Sequence, residues 1–385
     1  MARLGDICKF QSGGTPPKGE PSYFNGNIPW ITTVALNGSV IGKENAVDWI
    51  TEKAIENSAA KIVPANSVMV GTRVGVGKVA INSVPMSTSQ DIISLIDIDE
   101  QKWSKAFICK FILGKGSYLN SQARGATIKG IKIDTLAELQ LPDVAIVEQR
   151  KISNVLDSVD NLIFLRKQQL AKLDELVKAR FVELFGETGK QVPLTDYVWF
   201  QEGPGVRSVD FTDEGTILLT GSNINDNTIS FGHKSDRHIS NELASGKYAH
   251  FMCDKDDILV VSSAIDPDKF DKKVVVVDVD KKYCLNTGII RFKPNKQYLT
   301  LGYFREFLKT DYFKHQVSSE MRGIAQMHFG PSHLKQMTIL LPDSIERQVE
   351  FEAFVQQTDK SKLAIQQSLD KLETLKKSLM QKYFG

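Results

Sequence analysis

Long apolar runs are missing from this chain. No stretch of about 18 apolar residues occurs that could span a bilayer, and the opening Met1-Ala-Arg-Leu-Gly-Asp carries no apolar signal core. The expectation is a cytoplasmic protein with no membrane partner. Cysteine is scarce: Cys8, Cys109, Cys253 and Cys284 are scattered, with no CxxC pair. That argues against a disulfide framework and a zinc site, and predicts reduced, mostly buried thiols. Charge of one sign is scarce too. The 48 Lys and Arg against 46 Asp and Glu leave a net charge of +2, a small excess for a protein that grips phosphate unaided. It suits a chain working inside a larger complex whose partners supply phosphate contacts. Low-complexity tracts are absent, and 42% hydrophobic with 24% charged residues is ample for packed cores. At roughly 100–200 residues per domain, 385 residues suggest two or three domains.

Catalytic signatures are thin as well. An adenine methyltransferase needs a motif such as (D/N)PP(Y/F), but the Pro-Pro here, Thr15-Pro16-Pro17-Lys18, has no acid or Asn ahead of it. No GxxxxGK[ST] phosphate loop occurs. Gly71-Thr-Arg-Val-Gly-Val-Gly has the glycine density of a nucleotide loop yet leads into a strand pattern, so it reads as a β-turn with a basic tip. An enzymatic alternative rests on Pro267-Asp268 followed by Asp280-Lys281-Lys282. This fits the nuclease pattern PD…(D/E)xK, in which two carboxylates hold Mg²⁺ and a lysine steadies the attacking water. The first half of the chain has no counterpart. The histidines His233, His238, His250, His315, His328 and His333 all lie in the second half; His233 and His238 are five apart, wrong for one helical face, with no cysteine nearby, and the six read as loop or surface residues. No catalytic, cofactor or metal site is expected.

What the chain does have is duplication. From Ile152 to Leu184, Leu156, Ile163, Leu170, Val177 and Leu184 fall seven apart, with Val159, Leu162, Leu173, Leu176 and Phe181 in the adjacent turns. No Gly or Pro interrupts, and Gly186 is a natural C-cap, so this predicts a long helix with a partner-facing stripe. Ile365, Leu369, Leu372, Leu375 and Leu379 mark a second helix of the same kind. Glu148–Gly186 aligns without a gap on Arg347–Gly385, an offset of 199, matching Gln149/Gln348, Asp160/Asp359, Lys178/Lys377 and Phe185/Phe384 among others. Leu141-Pro142-Asp143 and Leu341-Pro342-Asp343 lead in alike. The preceding parts agree in outline. Leu4-Gly-Asp-Ile faces Leu194-Thr-Asp-Tyr, and the hairpin region Ser67–Ile81 faces Asp257-Ile-Leu-Val-Val-Ser-Ser-Ala and Val274–Val277. Arg124-Gly-Ala-Thr-Ile faces Arg322-Gly-Ile-Ala-Gln. One amphipathic helix per half is expected, near Lys105–Leu119 and Leu301–Val317. The organisation is therefore a domain over 1–147, a long helix over 148–186, a second domain over 187–346 and a long helix over 347–385. The fold class is α+β, with two mixed α/β domains joined by the two helices.

To bury its stripe on the first helix, which spans on the order of 55 Å, the second must run back along it. The pair becomes an antiparallel coiled coil, and the two halves become related by a pseudo-two-fold axis. On double-stranded DNA such a molecule meets two half-sites about one helical turn apart across an unread spacer, on opposite strands. The bland alternative is a helical hairpin that only holds two domains together, a protein-binding tandem scaffold. DNA-contact candidates are polar and basic residues on glycine-marked loops: Thr32, Thr33, Asn37, Arg73, Lys78, Arg124, Thr127 and Lys129 in the first domain. In the second they are Arg207, Thr220, Ser222, Asn223, Ser262, Ser263, Lys272, Arg322, Gln326 and His328. Arg, Asn and Gln suit base edges, Lys and Thr phosphates. Arg73, Arg124 and Arg322 lead, the last two at equivalent positions of the repeat.

The order of these features resembles the specificity (S) subunit of type I restriction–modification systems over essentially the full chain. It runs from Leu-Gly-Asp-Ile through Ile28-Pro-Trp-Ile and Gly77-Lys78-Val79 to Leu141-Pro142, Glu148-Gln149-Arg150-Lys151-Ile152 and a helix closing on Leu-Phe-Gly, and then repeats. The second copy departs at Ile345-Glu346-Arg347-Gln348. The resemblance implies two target-recognition domains, each reading half of a split DNA sequence, and helices acting as a ruler that docks two modification (M) subunits. Those partners bind S-adenosylmethionine and methylate one flipped-out adenine per strand. Restriction (R) subunits using ATP and Mg cleave unmodified DNA. The chain itself would be a non-catalytic reader holding no cofactor.

Overall fold

A computed structural model describes residues 1–125, 129–186, 189–232, 234–263, 265–318 and 328–385. The chain divides into two units, Met1–Gln168 with Gln366–Gly385, and Gln169–Ile365.

In the first unit, the run Val68–Gly71 and its neighbour Val79–Asn82 form an antiparallel hairpin at the centre of a sheet. The strand order is Lys9–Ser12, Ile92–Ile96, Val68–Gly71, Val79–Asn82, Val40–Ile41 among the described residues. Alternation of side chains explains why these strands are apolar throughout. Val68, Val70, Val79, Ile81, Ile93 and Leu95 face a core completed by Phe107 and Phe111 of the helix Lys105–Gly114. Met69, Ala80 and Ile92 face the other way, against Ile31, Leu36 and Met86. Ile31 and Met86 belong to a second sheet, ordered Asp48–Ile50, Phe24–Ile31, Met86–Thr88, Ile62–Val63. Ala2–Arg3 pairs with Gln140–Leu141 and returns the chain to the first long helix, Ile146–Leu184.

The second unit repeats this plan strand for strand at its centre. Val198–Glu202, Ile289–Pro294, Ile258–Val261 and Val274–Val276 lie in the same order as the first four strands above, all antiparallel. Thr216–Leu219 runs parallel to Tyr283–Leu285, as Phe24–Ile31 does to Met86–Thr88. Lys190–Pro193 pairs with Thr338–Leu341 before the second long helix, Ile345–Phe384. Both long helices start two residues before the sequence-predicted 148 and 347. The single amphipathic helix expected in each half is instead two short ones: Lys105–Gly114 and Gly116–Gln122, then Leu301–Phe307 and Asp311–Ser318. Glycines at 114 and 116 make the first break inexpensive. At the second, the Thr310 hydroxyl caps a new helix by accepting from Phe313 N at 3.3 Å.

Buried polar residues show how each long helix is fastened to its domain. Gln149, 1% exposed, accepts from Ser104 N at 2.9 Å and donates to Lys102 O at 3.0 Å. Gln348, also 1% exposed, accepts from Thr300 N at 2.9 Å and donates to Tyr298 O at 3.0 Å. The repeated aspartates serve alike: Lys110 reaches Asp160, and Arg305 reaches Asp359, each at 2.9 Å. The far ends of the helices cross over between the units. Phe384 packs edge-on against Phe107 and Phe111 in the first unit, and Phe185 against Tyr303 and Phe351 in the second. Gly186 follows Phe185 with φ +55°, the left-handed C-cap that the sequence predicted.

Within each unit the two helices run antiparallel. Ion pairs join Lys376 to Asp160 and Lys167 to Glu373 in the first unit. In the second they join Lys362 to Asp174 and Arg180 to Glu350. Of the predicted stripe, Leu156 and Val177 are buried and Ile163, Leu170 and Leu184 half-buried. Leu162 and Leu176 depart from the expectation; they are 44% and 48% exposed, off the seam. Among the described residues no helix is long and apolar enough to cross a membrane.

Candidate nucleic-acid interface

The hairpin Val68–Asn82 turns through Thr72–Lys78, with Gly75 and Gly77 at φ +78° and +81°. It is the β-turn with a basic tip that the glycines implied. Arg73 and Lys78 project from it, exposed. Thr72 anchors two further segments. Its amide and hydroxyl donate to Asp91 O at 2.8 and 3.2 Å, and its carbonyl accepts from Ile131 N at 2.8 Å. Arg124 and Gly130 pair through two 2.9 Å backbone bonds, and Gly130 lies against Arg73. Arg73 also pairs with Asp91 at 4.0 Å. The loop after Ile31 arrives on the same spot, with the Thr33 methyl over Gly71. Arg73, Lys78, Arg124 and Lys129 are thus exposed cations gathered about one turn. Lys78, Arg124 and Lys129 have no ion-pair partner among the described residues.

The second unit builds the equivalent place from different residues. Ser262 N donates to Gly288 O at 2.8 Å and its carbonyl accepts from Phe329 N at 2.9 Å, the role Thr72 plays toward Ile131. Ser263 stands where Arg73 does and meets His328 Nδ1 at 2.9 Å. The loop after Leu219 arrives with Gly221 against the Val261 side chain. Thr33 over Gly71 in one unit and Gly221 under Val261 in the other is one contact with its large and small partners exchanged. The loop continues through a turn closed from both sides, Asn223 Oδ1 accepting from Thr220 N at 2.9 Å and Asn223 N donating to Thr220 O at 3.0 Å, into a tight hairpin of Ile224–Asn225 with Thr228–Ile229. Thr220, Ser222 and Ser235 join their hydroxyls in a row, 2.8 and 3.2 Å apart.

Several expected contacts are corrected by burial. Thr33, Asn223 and Ser262 are 4%, 1% and 0% exposed. Thr33 packs on the hairpin. Asn223 spends its amide on Ser230 O and Asp236, and Ser262 is enclosed where its backbone joins Gly288 and Phe329. They shape the loops without facing solvent. Asn37 is exposed, but its Oδ1 closes its own turn by accepting from Ser39 N and Oγ. Thr32, Thr220 and Ser263 are half-buried; Ser222, Lys272, Arg207 and His328 are exposed. Lys272 pairs with Asp226 at 3.1 Å. Thr127, Arg322 and Gln326 lie outside the described residues, as does His233. Sequence reasoning passed over Asp91, which tethers Arg73, and Lys273, the counterpart of Lys78. Aligning Gly77-Lys78-Val79 on Lys272-Lys273-Val274 marks the latter.

Asp280 and Lys282 of the nuclease pattern are otherwise engaged. Asp280 accepts from Lys255 N at 2.6 Å, and Lys282 lies over the adjacent Tyr283 ring; the Asp268 side chain lies outside the described ones. Among the described residues no group of three metal-capable side chains converges. Of the cysteines, Cys109, Cys253 and Cys284 are buried and Cys8 half-buried, all unbridged. Loss of hydration pushes Cys8 and Cys109 up to about 12, away from thiolate chemistry.

Comparison with known proteins matches this chain twice, over residues 1–175 and 190–376, to the family described as Type I restriction modification DNA specificity domain. The MjaIX type I restriction enzyme specificity subunit of Methanocaldococcus jannaschii is 30% identical over 48% of this chain and 42% of its own length. The EcoR124I/EcoR124II specificity subunit of Escherichia coli is 31% identical over 41% of this chain and 40% of its own. The matched region thus spans about two fifths of these relatives. Among solved structures, the Type-I restriction-modification S subunit from M. genitalium superposes with a TM-score of 0.59 at 16% identity. That match covers all of this chain and 95% of that one, a likeness of fold.

Proposed function

This chain belongs to the family of type I restriction modification DNA specificity domains, and we propose that it selects the DNA sequence on which a type I restriction–modification complex acts. The observation that carries the reading is the pair of equivalent loop clusters. One scaffold, with the same strand order and the same anchoring carbonyl, presents Arg73, Lys78 and Arg124 in one unit and Thr220, Ser222, Ser263 and His328 in the other. Two different polar surfaces on one framework suit two different half-sites. The helices, continuous between the units, set the unread spacer. The chain is a reader with no chemistry of its own. S-adenosylmethionine, ATP and Mg belong to partner modification and restriction subunits.

Exposed apolar positions on the helices support docking of two like partners. Phe164 and Leu363 are 58% and 61% exposed, Leu176 and Leu375 48% and 46%, and each pair is related by the 199-residue offset. Apolar groups repeated outside the helix seam suit a twice-used protein contact. The test is the methylome of a host with and without this gene. A split adenine-methylation motif should vanish with the gene; an unchanged methylome refutes the reading. Purified chain with Mg²⁺ and DNA should not cut, and robust cutting without partners would sink it as well.

A further inference from the structure

Lys78 and Lys273 occupy one position of the repeat. The carbonyl of Lys78 accepts from Gly71 N at 2.8 Å, and that of Lys273 from Val261 N at 3.1 Å. Their side chains part. Lys78 is exposed at the hairpin tip. Lys273 is half-buried and turns inward, its ammonium donating to Ile224 O at 2.8 Å, Asn225 Oδ1 at 2.6 Å and Gly221 O at 3.3 Å. An ammonium has three hydrogens, and here each has an acceptor on a single loop. Burial holds its pKa below the ordinary lysine value.

That loop is the one carrying the hydroxyl row. Asn225 passes the restraint on, its amide donating to Ser222 O at 2.7 Å. Asp226 and Asn227 at φ +47° and +58° close the hairpin beyond. Lys273 holds carbonyl oxygens of this loop, and the Thr220 and Ser222 hydroxyls of the same loop meet each other and, through Ser222, Ser235 of the following segment. Without the cation the Gly221 and Ile224 carbonyls would lose their shared partner and the hydroxyls their fixed position.

We propose that Lys273 is a positioning residue for recognition of the second half-site: it holds the Thr220–Asn225 loop in its reading geometry and does not itself touch DNA phosphate, whereas its counterpart Lys78 does. This rests on the reading of the chain as a selector of DNA sequence. The two roles separate by salt dependence. A lysine on phosphate contributes about one to the slope of log K against log salt, equally for every sequence. A positioning lysine leaves the slope alone and changes discrimination.

The experiment uses the full chain assembled with its modification subunits. Its probes are duplexes carrying the split site defined by the wild-type methylome, with single base-pair changes in each half. Lys273→Met should leave the salt slope and first-half discrimination unchanged, and lower second-half discrimination by about tenfold or more, the scale of one poorly read base pair. Lys78→Met should lower the slope by about one, without preference among sequences. A drop in slope for Lys273→Met with discrimination intact would overturn the proposal, as would equal loss at both halves or no change at all. Should Lys273→Met lose its thermal transition, Asn225→Ala takes its place. It should show the same second-half loss in weaker form, and intact discrimination there overturns the proposal. A wild-type complex with no sequence preference sinks the functional reading itself, an outcome visible before any variant is made.

Discussion

Replacing Phe384 with alanine should destabilise the first unit and leave the second intact. Phe384 is 4% exposed, and its ring meets Phe107 at 5.2 Å and Phe111 at 5.8 Å, both edge-on. Burying a ring of this size is worth about 1.5–3 kcal/mol, and each edge-on aromatic contact about 0.5–1.5 kcal/mol more. The expected loss is about 3–5 kcal/mol, the range typical of Phe→Ala in packed cores. For a body the size of one unit that lowers the melting temperature by about 10 °C. Hydrogen exchange localises the damage: amides of Lys105–Gly114 and of the last turns before Phe384 should exchange faster, while those of Leu301–Phe307 keep their protection. Phe185→Ala should do the reverse, with a loss of similar size, because Phe185 is likewise buried against rings, those of Phe181, Tyr303 and Phe351. A loss below about 1 kcal/mol, or protection lost equally in both units, would refute the claim that each helix end is a structural member of the unit it enters.

Gln348→Leu should lower stability by about 2–4 kcal/mol in urea unfolding, since Thr300 N and Tyr298 O are left without their partner at about 1–3 kcal/mol each; a neutral result would mean water replaces the amide. Asp254 is held down to about 2 by Lys281 and Lys293, so the folded state binds its proton less readily than the unfolded one. Its contribution is full above the ordinary carboxylate value of 3.8 and fades as the pH falls toward about 2. Asp254→Asn should therefore flatten the stability profile across that window and nowhere else. Inserting four residues after Leu165 should lengthen the unread spacer or abolish function while both half-sites stay the same. Altered half-site sequence in the surviving methylation motif would show that the helix is no ruler. Arg124→Ala should degrade methylation specificity at the first half-site only, and equal loss at both would contradict modular reading.

The duplication was legible because it lies in features that sequence displays directly. Helix periodicity and the closing Phe-Gly align without a gap over 148–186 and 347–385, and the Leu-Pro-Asp lead-in recurs one residue out of that register. Gln149/Gln348 and Asp160/Asp359 stood in that alignment as bare identities, and the structure supplies their reason, a buried clasp from helix to domain. Leu162 and Leu176 were misjudged because a heptad list does not separate a seam from a second apolar stripe beside it. The site was harder to read. Loop polarity suggested Thr33, Asn223 and Ser262, yet whether a hydroxyl or amide faces water depends on what crosses above it. Ser262 is fully buried where its carbonyl meets Phe329 N, 67 residues along the chain, and no local pattern reports that. The amide of Asn223 suits adenine, and it suits a local bond from side chain to backbone equally well, here to Thr220 N.

Equivalent positions with exchanged duties explain how one scaffold can read two sequences. At the meeting of loop and hairpin, the first unit places a threonine methyl over a glycine and the second a glycine under a valine. The contact is kept while the loop backbone shifts which carbonyls point inward. In the second unit Gly221 O and Ile224 O point at Lys273, and the lysine is drawn in. In the first the loop turns through Thr33–Ala35, and Lys78 extends to solvent beside Arg73. Among the described residues, the first tip keeps its lysine outside beside Arg73, while the second takes Lys273 inside and presents hydroxyls, a histidine and Lys272 paired with Asp226. Transplanting the Thr220–Ile229 loop alone into the first unit would fail to transplant its reading, since Gly71 offers no side chain for Gly221 to meet and Lys78 would have to turn inward. The transferable element is loop, hairpin and lysine together.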